Sequence, residues 1–128
     1  MNLSRLFFVL AFVLALVSCN KDDDEATCTQ ADWIGNYIGT IDCNGTSEDV
    51  EVTITASGSE AIIIFYETAT FTSLFSPLTP DGCNLSEASS VGGMPATIDA
   101  TLGGDNLTLM DTKSVGGGSS CNLTATRQ

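Results

Sequence analysis

Five cysteines, 16 carboxylates and no histidine set the chemistry open to this 128-residue chain. Without histidine the commonest general base is missing, and with it every Ser-His or Cys-His nucleophile system. A pair of carboxylates could still act as acid and base in glycoside hydrolysis. Twelve of the 16 carboxylates lie beyond residue 25, however, scattered over outward strand positions and turns, where charges keep a domain soluble. Zinc finds no Cys-x-x-Cys pair and no histidine. Calcium could bind at acidic turns, at Asp81 or at Asp105 beside Asn106, but no loop has the ligand spacing of an EF-hand. Gly116-Gly117-Gly118 is followed by neither a lysine nor a helix, so it reads as a hairpin turn and not as a phosphate cradle. These residues predict a protein that is not an enzyme and holds no metal and no dissociable cofactor.

The most informative cysteine is the first. Met1-Asn2-Leu3-Ser4-Arg5 precedes an apolar run over residues 6–17, and small Ser18 stands before Cys19. A positive start, a short apolar run and a processing site make a signal peptide, expected to be removed over residues 1–18. The run has 12 residues, whereas a helix crossing the bilayer needs about 20. Leu16-Val17-Ser18-Cys19 resembles the lipobox of bacterial lipoproteins. The resemblance implies that the Cys19 sulfur receives a diacylglycerol, that the chain is cut just before it, and that the new amino group is acylated. A thiolate suits this chemistry because it is the strongest nucleophile a side chain offers near neutral pH. Two or more acyl chains then anchor stably where one would not. The alternative is a plain secreted protein.

Behind Cys19 run Lys21-Asp22-Asp23-Asp24-Glu25. Low hydrophobicity and like-charge repulsion make residues 19–27 an extended acidic tether. The same run resembles the export signal of certain Gram-negative surface lipoproteins, which implies display on the outer leaflet of the outer membrane. A periplasm-facing lipoprotein is the alternative location.

Without residues 1–18 the chain has three basic and 16 acidic residues. Nucleic acid is excluded as a partner, because a phosphate backbone demands clustered Lys and Arg and here Lys21, Lys113 and Arg127 lie far apart. Adsorption to anionic lipid is excluded on the same ground, so membrane attachment falls to the lipid on Cys19. Residues 28–128 form one domain near the commonest domain size, small enough to benefit from cross-links. Setting Cys19 aside leaves Cys28, Cys43, Cys83 and Cys121. An even number in an exported protein predicts two disulfides, and four cysteines allow three pairings.

Period-two alternation dominates the domain, and no stretch after residue 18 has helical periodicity. Residues 50–57 put Val50, Val52, Ile54 and Ala56 on one face and polar residues on the other. A turn at Gly58 leads to a strand over 61–67 that is apolar on both faces. Residues 97–102 and 107–110 flank a tight turn at Gly103-Gly104-Asp105-Asn106, and 120–127 make the last strand. Weaker strands are expected over 33–42, 68–74 and 83–87. Loops are expected at Pro77, Pro80 and Asp81-Gly82, and over 89–95. About eight short strands predict an all-β antiparallel meander, closed as a small barrel or folded as a sandwich. Trp33, Gly35, Tyr37, Gly39, Ile41 and Cys43 share one face, and glycines between aromatics let a strand bend sharply, which leans to the barrel.

Residues 33–40 (WIGNYIGT), Leu107-Thr108-Leu109 and a terminal CNLTATR over 121–127 together resemble a group of small lipocalin-like β domains in Gram-negative lipoproteins. The likeness is one of pattern, over about residues 28–128, and the chain is shorter than a true lipocalin. A meander barrel places the first and last strands side by side, so Cys43 is expected to pair with Cys121 and Cys28 with Cys83. Joining Cys83 to Cys121 is the alternative, since both stand in Cys-Asn-Leu-Ser/Thr contexts. Trp33, Tyr37, Phe65 and Tyr66, with Phe71 and Phe75, either line an apolar pocket or simply fill the core. The Asn-x-Ser/Thr matches at Asn44, Asn84, Asn106 and Asn122 carry little weight in a bacterial chain. The functional expectation is a surface-anchored, non-catalytic binding module for a small apolar ligand or an extracellular protein or glycan. A structural surface protein without a small ligand, or an enzyme using carboxylates, are the other classes.

Overall fold

The computed structural model describes residues 27–91, 94–113 and 119–128. A one-turn helix, α1 (Gln30–Trp33), precedes eight strands: β1 (Gly35–Cys43), β2 (Thr46–Ser57), β3 (Ala61–Glu67), β4 (Thr72–Leu78), β5 (Asn84–Val91), β6 (Met94–Gly103), β7 (Asn106–Lys113) and β8 (Ser119–Arg127). All eight belong to one antiparallel sheet in the order β4-β3-β2-β1-β8-β7-β6-β5. The first strand pairs with the last over Tyr37↔Arg127 to Cys43↔Cys121. The meander thus wraps into a nearly closed barrel, with a break in the ladder between β4 and β5. The sandwich alternative falls away because no second sheet exists among the described residues.

Alternation sorts the side chains as the pattern predicts. On β2, Val50, Val52 and Ile54 are buried between exposed neighbours, and on β3 Ile62, Ile64 and Tyr66 are buried while Ala61, Ile63 and Phe65 stay half-buried. The core is completed by Trp33, Tyr37, Ile41, Phe75, Leu78, Leu85, Ile98, Leu107, Leu109 and Leu123. Ala56, expected inside at the end of β2, is exposed. Phe65 is the larger departure: with a period of two, the residue beside buried Tyr66 must face outward.

Two glycine positions explain the wrapping. Asn44 and Gly45 both have positive φ, 53° and 84°, the backbone of a type I′ turn whose twist matches that of the strands it joins. Gly39 sits where β1 crosses β8, opposite Ala125. A Cβ there would lie 1.9 Å from the carbonyl oxygen of Thr124 and 2.5 Å from the Cα of Ala125. Only hydrogen fits between those two backbones.

Both disulfides pair as expected, Cys28–Cys83 and Cys43–Cys121. The second joins residues directly opposite on β1 and β8. Because Asn44 N–H donates to Ser120 O at 3.3 Å, the adjacent Cys43/Cys121 pair is a non-hydrogen-bonded one, where side chains stand closest.

Several boundaries differ from the sequence expectation. Trp33 lies in α1 and not in the first strand, because the Asp32 carboxylate accepts hydrogen bonds from the N–H and hydroxyl of Thr29 at 2.6 and 2.8 Å and starts a helical turn. Residues 68–71 form a turn and not a strand: the Thr68 hydroxyl accepts from the N–H groups of Thr70 and Phe71, both at 3.1 Å. The strand that follows runs through Pro77 to Leu78. Where a loop was expected over 89–95, β5 and β6 continue to Ser90↔Pro95 and Val91↔Met94. Pro95 is the second residue of β6, and a proline is tolerated near the start of a strand.

Candidate functional site

The two ends of the barrel are built differently. At one end α1 lies across the opening as a plug. Gln30 Nε2 donates to Ala61 O at 2.6 Å and to Gly58 O at 3.1 Å, on the β2–β3 side. Trp33 Nε1 donates to Gly82 O at 2.9 Å, on the β4–β5 side, where Cys28–Cys83 also holds the chain. Beneath the plug, the Tyr37 hydroxyl donates to Trp33 O at 2.8 Å and accepts from Arg127 Nη2 at 2.8 Å. The Arg127 guanidinium lies 5.2 Å from the Tyr37 ring centroid, donates to Asp32 O, and faces the Asp105 carboxylate at 3.8 Å. Burial raises the Tyr37 phenol above its ordinary pKa, with Arg127 pulling the other way. The hydrogen bonds from the Thr29 N–H and hydroxyl hold the Asp32 carboxyl below the usual carboxylate range.

At the opposite end the interior is polar. Tyr66 on β3 reaches across the barrel and donates to Asp111 Oδ2 on β7 at 2.7 Å. Ser73, opposite Tyr66 on β4, hydrogen-bonds the same phenol. Burial pushes the Tyr66 phenol well above its ordinary pKa; Ser73 works against that shift and Asp111 adds to it. Phe71 meets the Tyr66 ring edge-on at 6.1 Å and Phe75 stacks on it at 6.2 Å. The Cys43–Cys121 bridge closes this end beside Asp111, which is opposite Cys121 on β8. Tyr66 and Asp111 are 0% and 1% exposed, so the pair is a buried strut and meets no solute in this conformation.

Trp33, Tyr37 and Tyr66 are therefore brought together in one interior, packed with Phe75 and the aliphatic core. Phe65 does not join them, and a pocket containing all four is corrected on that point: it lies on the outer side of β3. Cys19, Lys21, Asp22, Asp23, Asp24 and Glu25 lie outside the described residues. The Tyr66–Asp111 strut was missed in the sequence, although an acid in the buried phase of Leu107-x-Leu109-x-Asp111 is a readable signal.

Concave space lies on the outer wall. An open groove of about 710 Å³ runs along β1, β2 and the end of β3, and another of about 450 Å³ crosses β5 to β8. The first carries carboxylates, Asp49, Glu51 and Glu67. The second carries amides and hydroxyls around Met110, which is 46% exposed. Among the described residues no group of three or more Cys, Asp or Glu could hold a metal ion, and no helix is long and apolar enough to cross a membrane.

None of the family models, characterised proteins or solved structures compared with the chain matches it.

Proposed function

We propose that the chain is a lipoprotein of the Gram-negative outer membrane, anchored through diacylated Cys19 and presenting residues 28–128 as a non-catalytic binding module at the cell surface. One observation carries the anchor: the four domain cysteines pair among themselves, so Cys19 has no disulfide partner within the chain. A cysteine left over at the end of an apolar leader, in Leu-Val-Ser-Cys context, is what lipidation requires. The acidic run over 21–25 supports a solvated tether and, in this reading, the address that sends the protein to the outer leaflet.

The binding part of the proposal moves to the outer wall. Trp33, Tyr37, Tyr66 and Phe75 fill the interior at 0–1% exposure, so the small apolar ligand expected inside a lipocalin-like barrel gives way to a protein or glycan partner on the outside. The filled interior equally favours a second reading, a structural surface protein. Lipid labelling tests the anchor: label should enter the wild-type protein and be lost in Cys19→Ser, and label that persists in the variant overturns it. Protease shaving of intact cells tests display. Wild-type protein should be cut and an Asp22-Asp23-Asp24 neutralised variant protected; a protected wild type overturns surface exposure.

A further inference from the structure

On the outer wall, the strand register gathers carboxylates around an exposed isoleucine. Glu51 on β2 lies opposite Ile38 on β1 and opposite Glu67 on β3. Two acids thus face each other directly across a ladder, with Cβ atoms about 5 Å apart. Asp49 lies two residues along the same face of β2, about 7 Å away. Like charges so placed destabilise a sheet. Arg127, the one cation whose side chain is described, does not relieve them: it is engaged at the plugged end with Tyr37 and Asp105. These acids border the groove of about 710 Å³, whose exposed apolar side chains are Ile38 and Ala69, while Val50 and Gly39 present backbone to it. Ile38 is 49% exposed.

We propose that this groove docks an extended basic segment of a partner protein, its Lys or Arg heads on Asp49, Glu51 and Glu67 and its aliphatic stems across Ile38. Charge complementarity carries the choice of occupant. A chain with 16 acidic and four basic residues attracts cations in general, but here the charges are arranged along a surface that is also apolar. The three carboxylates do not gather into a group that could hold a metal ion, and their placement along the strands suits charges repeated along a polypeptide. Lys and Arg are also the side chains that lay a long apolar stem on a surface while keeping the head charged. The proposal rests on the binding-module reading.

The test uses the full-length protein in detergent and a fluorescein-labelled octapeptide of alternating lysine and alanine, read by fluorescence anisotropy at low salt. Glu51→Gln with Glu67→Gln should weaken binding roughly tenfold, from two lost ion pairs at the exposed-pair scale. Glu60→Gln with Asp81→Asn, which removes the same charge from turns outside the groove, should change it less than twofold. Ile38→Ser should weaken it severalfold. The Glu51/Glu67 variant should melt at the same or a higher temperature than wild type, so lost binding is not lost folding. Equal weakening by both charge pairs overturns the groove, as does no binding to wild type, or displacement by spermine with no dependence on Ile38. The anchored-module reading stands or falls separately, because lipid labelling and shaving do not involve the groove.

Discussion

The barrel is closed by two seams of opposite construction. Between β1 and β8 the ladder is continuous over seven residue pairs, with a disulfide at one end and Arg127 at the other. Between β4 and β5 there is no ladder. Side chains and a turn join them instead: inward-phased Glu87 accepts from the N–H of Thr79 at 2.6 Å, Asp81 and Asn84 exchange backbone hydrogen bonds at 2.8 and 3.1 Å, and Cys28–Cys83 anchors the turn to α1. Strands adjacent in sequence are thus the ones left open, and the strands farthest apart are fully paired. The contrast shows how an incomplete barrel limits its edges: Pro77 removes a donor from β4, and Glu87 on β5 places a charge where a foreign strand would have to bury it.

Substitutions can break that contrast seam by seam. The largest effect is expected from Gly39→Ala, since the new Cβ meets two backbone atoms that cannot rotate away; a loss of about 3 kcal/mol or more should appear in chemical denaturation, with many preparations unfolded. Removing either disulfide by paired Cys→Ser substitution should cost about 2–4 kcal/mol. The enclosed spans of 78 and 55 residues predict nearly equal losses, about 0.3 kcal/mol apart by loop entropy. Hydrogen exchange should separate them, with loss of Cys28–Cys83 speeding amides of β4 and β5 and sparing β1.

Tyr66→Phe should cost about 1–3 kcal/mol, because it removes the phenol that bonds Asp111 in the interior. It should also alter the response to alkali. A phenol whose pKa is raised in the folded state contributes stability fully below its unfolded value of about 10 and loses it as pH climbs beyond. Denaturation midpoints of wild type should therefore fall above pH 10, and those of the variant should fall less. The smallest effect is expected from Glu87→Ala, about 1 kcal/mol, read as faster exchange of the Thr79 amide with the β1–β8 amides unchanged.

Much of the wall was legible. The strand over 61–67 has the predicted boundaries, and the pairing of Cys43 with Cys121 follows once first and last strands are neighbours. What escaped were signals of one or two residues. Asn44-Gly45 is the commonest hairpin dipeptide, yet it lies between two polar stretches whose alternation is weak. Thr29-Gln30-Ala31-Asp32 starts a helix too short to show periodicity, and it carries Trp33 into the plug. The proline at 95 reads as a breaker because a single sequence does not show that it falls near the start of a strand, where proline is tolerated. The grooves were illegible for a deeper reason. The Glu51/Glu67 pair and the Ile38 beside it exist only in the register of three strands.

The β1–β8 seam also sets an order of assembly. Tyr37 and Arg127 stand 90 residues apart in sequence, so β1 must wait, with one edge bare, until nearly the whole chain has been made. Contacts this distant are slow to form. Until the final strand arrives, the early hairpins present an open template to any neighbouring copy. The window for misassembly is therefore as long as synthesis of the chain, and shortening it would call for a chaperone that covers β1 or for connecting β8 ahead of β1 by circular permutation.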